Sequence, residues 1–168
     1  MTLGFLDLME IRFVNAFRTR GVSWKTIRTA SLRASEVLRT THPFCTHEFL
    51  TNGREIFLEL MLSDEERGLL ELSKGQHVFR EFLLPYLHNV DIVDQVPRRW
   101  WPMGKDHRVV LDPARRLGKP IVSKEGVRTL VLSEAFAVEK SFDTVAAWYE
   151  VEPASVREAV RYEESISA

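Results

Sequence analysis

His42, Cys45 and His47 fall within the stretch HPFCTH. Imidazole nitrogen and thiolate sulfur are ligands that zinc prefers, and three or four must converge to hold it. His77, His88 or His107 would have to complete the set, and no spacing matches a known zinc pattern. A packed turn at Pro43-Phe44, with no metal, is the expectation. The chain contains no G-x-S-x-G, no phosphate-cradling Walker loop, no H-E-x-x-H and no familiar Cys-His pairing. No catalytic residue and no cofactor is therefore assigned, and a non-enzyme is expected. An enzyme of unknown type would instead need polar groups converging in a pocket around His42, Cys45, His47 or His107.

A second constellation is Arg98-Arg99-Trp100-Trp101-Pro102. Tryptophan beside arginine is a frequent interface anchor. Adjacent residues of a strand face opposite ways, so one of the two rings is expected to be exposed. Trp148-Tyr149 offers another such pair, and the ordinary alternative places all these rings in the core. Residues 105–120 add Lys105, Arg108, Arg115, Arg116, Lys119 and, when protonated, His107. Asp106 and Asp112 nearby read as structural ion-pair partners.

The third is the tail, FDTVAAWYEVEPASVREAVRYEE, which has the outline of a helix-turn-helix. Ala146 is the small residue needed where two helices cross, and Val151 and Val156 suit the inner face. The turn position, usually glycine, is Glu150, and a non-glycine residue at positive φ costs about 1 kcal/mol. Ala154, Ser155, Arg157, Glu158 and Arg161 would face outward. Arg157 and Arg161 could touch phosphate or guanine, but acids crowd them, so a helical packing unit that meets protein is expected.

Charge separates along the 168 residues although the net is −1. Residues 1–40 carry seven bases and three acids, and residues 130–168 carry three bases and eight acids. A polyanion is drawn to the front and repelled by the tail. No apolar run approaches the ~18 residues of a membrane span, and no cationic leader opens the chain. The single cysteine, Cys45, cannot form an internal disulfide, which suits a reducing, cytoplasmic setting.

These residues must be positioned by short elements. Phe5, Leu6, Met9, Phe13, Ala16 and Phe17 recur at helical spacing over residues 5–19, and Gly21 stops that helix. Ser23 is expected to cap a second helix over 24–38, with Trp24, Ile27, Leu32 (or Ala30) and Val37 as its apolar positions. Asn52-Gly53 and Lys74-Gly75 predict hairpin turns. FREFLLPYLHNVDI reads as a helix interrupted near Pro85, and Val109 to Leu111 as a buried strand ended by Asp112-Pro113. Thr129 is expected to cap a helix from Leu130, Ser141 or Phe142-Asp143 to begin another, and Pro153 to open the last. The predicted fold class is mainly α with a small β component: an N-terminal helix pair, a short hairpin-containing middle and a C-terminal three-helix unit.

LGFLDLMEIRFVNAFRTRGVSWKTIRTA, HPFCTHEFLTNGREIFLEL and RRWWPMGKDHRVVLDPARRLGKPIVSKEGVRT together resemble VapB-type antitoxins with a MerR-like front. The tail resembles the small helical domain of unknown function that ends them, and the match spans residues 3–165. The resemblance implies a two-part protein, and the chain divides into a MerR-like partial region at 1–95, an extended connection at 96–128 and a helix-turn-helix-like antitoxin domain at 129–168. It implies a protein that binds a PIN-domain ribonuclease toxin and represses its own operon. A homodimer through the apolar faces of residues 5–38 is expected on other grounds, since so short a helix pair rarely buries both faces alone. Longer relatives begin with a winged helix-turn-helix that precedes FLDLMEIRF, and this chain is expected to lack it. Operator contacts would then fall to Arg12, Arg18, Arg20, Lys25 and Arg28, with Arg157 and Arg161 in the tail. Such antitoxins occlude an acidic nuclease site with arginine, which gives Arg98, Arg99, Arg115 and Arg116, with Trp100 and Trp101, as toxin-contact candidates. A DNA-binding regulator without a toxin is the alternative.

Overall fold

A computed structural model describes residues 3–46, Phe49, 84–94 and 96–167. The Asn52-Gly53 and Lys74-Gly75 turns, His47 and His77 lie outside the described residues. The described residues are mainly helical with a small β component, as the sequence implies. The chain forms two compact units, Met1–His88 with Ile92–Pro97 and Asn89–Asp91 with Arg98–Ala168. Among the described residues no helix is long and apolar enough to cross a membrane.

The first unit begins with α1 (Phe5–Thr19) and α2 (Trp24–Leu38). Asp7 accepts the Gly4 N–H at 2.7 Å, satisfying a donor at the entry of α1. Met9, Phe13, Ala16 and Phe17 are its buried stripe. Phe17 meets Phe44 edge-on at 5.2 Å, and Phe44 lies 4.9 Å from Phe49, so aromatic rings fill this core. Gly21 turns the chain with φ 82°, and Ser23 accepts the Thr26 N–H as the cap of α2.

The buried face of α2 matches the expected one at Ile27 and Ala30 and departs from it elsewhere. Thr26, Ile27, Ala30 and Ala34 are buried, whereas Trp24 is 64% exposed and Leu32 and Val37 are also exposed. Small side chains at i, i+4 and i+8 (Thr26, Ala30 and Ala34) let a helix approach its neighbour closely, which leaves the bulkier residues outside. A second correction concerns FREFLLPYLHNVDI. Residues 84–88 are helical, but Asn89 turns and Val90–Val93 is a strand, β1. β-branched valine and isoleucine dominate that segment and favour the extended backbone.

β1 pairs with β2 (Val96–Trp100). In the second unit, β3 (Val109–Val110) and β4 (Ile121–Val122) pair antiparallel, Val109 opposite Val122 and Val110 opposite Ile121. Trp100 and Leu111 exchange backbone hydrogen bonds of 3.0 and 2.8 Å. A 3-10 turn, Arg116–Gly118, lies between β3 and β4. Three helices follow: α3 (Thr129–Glu139), α4 (Phe142–Tyr149) and α5 (Pro153–Ser167). Val122, Leu132, Val145, Ala146, Val156 and Ala159 form their core, and Phe136 stacks on Phe142 at 4.1 Å.

Ser141 caps α4 and Pro153 opens α5, as expected. Thr129 does not cap α3. It is the first helical residue, and its hydroxyl donates to Pro120 O and Glu163 instead. Between α4 and α5, Glu150 adopts the left-handed conformation, φ 55°, and the Val151 N–H reaches back to Ala146 O at 3.0 Å. The tight turn therefore forms without glycine. Glu150→Gly is expected to stabilise the protein by about 1 kcal/mol, seen as a rise of a few degrees in the thermal midpoint by circular dichroism. A lowered midpoint would contradict this account of the turn.

Candidate functional site

The toxin-contact candidates all lie on residues 98–116, and Asp112 organises them. Its side chain is almost wholly buried. Oδ2 accepts from Arg99 Nε at 3.0 Å, and Oδ1 accepts the Ala114 N–H at 3.0 Å. The second bond is an Asx turn, which folds the backbone after the strand. Arg115 donates its N–H to Asp112 O at 2.9 Å, and its guanidinium Nη1 donates to Ser123 O at 2.7 Å. Gly126 leaves room for that guanidinium, since a Cβ there would stand 2.6 Å from Arg115 Nη2. Arg99 and Arg115 thus brace their own fold.

Arg98 and Arg116 are exposed. Arg116 Nε stands 3.4 Å from Gly126 O, at the limit of a hydrogen bond. Arg116, Leu117 and Gly118 have φ of 48°, 58° and 74°, three left-handed residues in a row. Leu117 is 92% exposed. Sequence reasoning picked out the arginines beside Leu117 and passed over the leucine itself. The signal was Arg-Arg-Leu-Gly between Pro113 and Pro120, a turn too short to bury its apolar residue.

Trp100 and Trp101 are both half-buried, so neither is the exposed ring expected from strand alternation. The strand ends between them. Trp100 keeps its backbone pairing with Leu111, while the Trp101 indole Nε1 donates to Asp91 Oδ2 at 2.9 Å. Lys105 pairs with the same carboxylate at 2.7 Å. Trp148 on α4 is the exposed tryptophan of this unit.

The start of α5 is occupied by its own chain. Glu152 binds both Arg108 and Lys124, and Lys124 first and then Arg108 hold its carboxyl below the usual range. The Glu152 N–H donates to Glu125 Oε1 at 3.2 Å. Ser155, expected to face outward, is fully buried. Its hydroxyl donates to Glu125 at 3.1 Å and lies 3.3 Å from Arg108 Nη1, which draws it inward. Glu158 meets His107 Nδ1 at 2.7 Å. In a DNA-reading helix-turn-helix, the N-terminal residues of the second helix contact base edges. Here those positions are engaged internally. Arg157 and Arg161 remain exposed, and Arg157 lies 5.1 Å over the Phe142 ring.

In the first unit Arg12 is half-buried near Met9 Sδ, and burial lowers its pKa. Arg18 donates to Val22 O at 2.7 Å and lies over the Trp24 ring. Arg20, Lys25 and Arg28 are exposed. The HPFC stretch is a packed turn. Glu10 accepts the N–H groups of Phe44 and Cys45 at 3.1 and 3.2 Å, and burial raises its pKa despite those bonds. His42 Nε2 lies 3.0 Å from Asp7 Oδ1, and this bond is the main cause that keeps Asp7 low. Cys45 is buried, and burial and then Glu10 push its thiol far up. Among the described residues no group of three or more His, Cys, Asp or Glu is placed to hold a metal.

No family model matches the chain. It is 28% identical, over 94% of its own length and 70% of the other's, to a Mycobacterium tuberculosis protein named "Putative antitoxin VapB45". The crystal structure of Rv2018 from Mycobacterium tuberculosis superposes with a TM-score of 0.68 at 25% identity, covering 94% of this chain and 78% of that one. The sequence similarity supports a VapB-type antitoxin family.

The geometry separates two neighbouring arginines. Arg99→Ala leaves Asp112 Oδ2 without its charged partner while Oδ1 keeps the Ala114 N–H, so a loss of about 1 kcal/mol is expected. Arg98→Ala should stay within about 0.5 kcal/mol of the parent. Urea unfolding of both variants checks this, and equal midpoints would contradict the bracing role of Arg99.

Proposed function

We propose that the chain is the antitoxin of a type II toxin–antitoxin module. It binds and neutralises a PIN-domain ribonuclease toxin in the cytoplasm, without being an enzyme, and contributes to repression of its own operon. The observation that carries this reading is the similarity to "Putative antitoxin VapB45" across 94% of the chain. A ribonuclease of that class gathers carboxylates around a metal, and a guanidinium satisfies such a cluster bidentately. Arg98 and Arg116 are the strongest toxin-contact candidates: both are exposed, and Arg116 is held only by a long 3.4 Å bond to Gly126 O, whereas Arg99, also exposed, and half-buried Arg115 hold firmer bonds to Asp112 and Ser123 O. Trp100 and Trp101 flank the site as partly accessible packing surface.

In this reading the MerR-like front, residues 1–95, takes the operator, and the helix-turn-helix-like tail, residues 129–168, reached through 96–128, takes protein. Arg20, Lys25 and Arg28 supply the exposed charge of the front. Arg18 can lend its charge from its seat on Trp24, and half-buried Arg12 contributes least. Arg157 and Arg161 are secondary DNA candidates, since the tail carries the excess of acid.

The test is capture from the native cell with the whole chain as bait, followed by mass spectrometry. A ribonuclease retained in stoichiometric amount is expected. DNA retention should weaken with salt, and Arg28→Ala should lower the log–log slope by about 1. Salt-sensitive DNA retention with no protein partner would sink the antitoxin role and leave a regulator that works without a toxin.

The same reading makes the chain a homodimer through its front helices. Trp24, Leu32, Val37 and Ile11 are apolar side chains left exposed on the two front helices. A dimer would bury some of them in a self-complementary contact. Light scattering should show a dimer that Leu32→Asp converts to monomer. A monomeric parent would remove the dimer from the account.

A further inference from the structure

We propose that Leu117 is the side chain that anchors this chain to its ribonuclease partner, entering an apolar pocket whose rim carries carboxylates. The inference rests on the antitoxin reading and adds to it an apolar contact that pairing between arginine and carboxylate does not contain.

The argument starts from the backbone. Left-handed non-glycine residues normally occur singly, because Cβ crowds the following carbonyl. Here Arg116 and Leu117 adopt that conformation in succession, and Gly118 follows. Strain of this kind persists only where the surroundings over-determine it, and it concentrates at functional positions. The surroundings do so here. Asp112 pins the Ala114 N–H, Arg115 is tied to Asp112 O and Ser123 O, and the Gly118 N–H returns to Arg115 O at 3.0 Å. Arg99 holds the carboxylate that starts the turn. The product of all this bracing is a leucine left 92% exposed at the tip of a rigid turn.

A leucine presented in this way has already lost the backbone freedom that binding would otherwise remove, which is how preorganised anchors gain affinity. The surrounding charge selects the partner. Residues 113–124 contain no acid, and their bases are Arg115, Arg116, Lys119 and Lys124. Arg115 and Lys124 are bonded to Ser123 O and Glu152. Exposed Arg116 and Lys119 flank the leucine and match a carboxylate rim. Nucleic acid would use those two charges but gain little from leucine, whereas an acidic protein pocket uses all three.

The test uses the full chain and the PIN-domain ribonuclease recovered with it, mixed in a calorimeter. Leu117→Gly suits the left-handed backbone, so its thermal midpoint should equal or exceed that of the parent. Its Kd for the ribonuclease should nevertheless rise about ten-fold or more. Leu117→Asn, which tolerates the same backbone, should lose binding similarly. Unchanged Kd for both variants, with a parent that binds, would overturn the anchor and leave the antitoxin reading standing. Loss confined to Arg116→Ala and Lys119→Ala would overturn it too, since charge alone would then carry the contact. A lowered midpoint for Leu117→Gly would contradict the strain from which the proposal begins. A parent that binds no ribonuclease would remove both the antitoxin reading and the anchor.

Discussion

Two carboxylates at the start of the last helix govern how the second unit can be used. Glu152 takes Arg108 and Lys124, while Glu125 takes the Glu152 N–H and the Ser155 hydroxyl. A helix begins with backbone N–H groups that need acceptors and a positive end that attracts acid. This chain meets both needs from within, using residues that flank β3 and β4. The strand pair and the helices thereby become one body. The same bonds engage positions that a DNA-reading helix would present, which supports the proposed reading of the tail as a unit that meets protein. The acidic balance of residues 130–168 points the same way.

The basic residues divide by what they bond rather than by where they lie in sequence. Arg99 serves Asp112, Arg108 serves Glu152 and Arg115 serves Ser123 O. Arg98 and Arg116 sit beside two of these and stay exposed. A run such as Arg98-Arg99 or Arg115-Arg116 therefore holds one structural and one available guanidinium. In an extended strand neighbouring side chains leave on opposite faces, and a tight turn splits neighbours in the same manner. Surplus charge is presented only because its neighbour holds the scaffold still.

Much of the fold was legible in the sequence. The periods of Phe5 to Phe17, Ser23 after Gly21, Ser141 and Pro153 give the helix limits, because caps and breakers act locally. The burial of Val109 to Leu111 followed from their apolar run. What was not legible depends on which neighbour a face meets. Periodicity weighs large side chains, so Trp24, Leu32 and Val37 looked like core, yet the contact falls to Ile27 and Ala30, both read from the sequence, and to Thr26 and Ala34, which were not. Ser155 looked like surface until Glu125, thirty residues earlier, drew it inward. Thr129 resembled a cap, but its hydroxyl serves Pro120 and Glu163. The site was half legible. Charge marked the arginines, but only the left-handed backbone sets Leu117 apart from an ordinary turn residue.

The most direct measurement is RNA cleavage by the proposed ribonuclease partner, titrated with the purified chain. Cleavage should fall to background at a fixed molar ratio and return when the complex is dissociated. Undiminished cleavage in the presence of excess chain would contradict the account, whatever else the chain proves to bind.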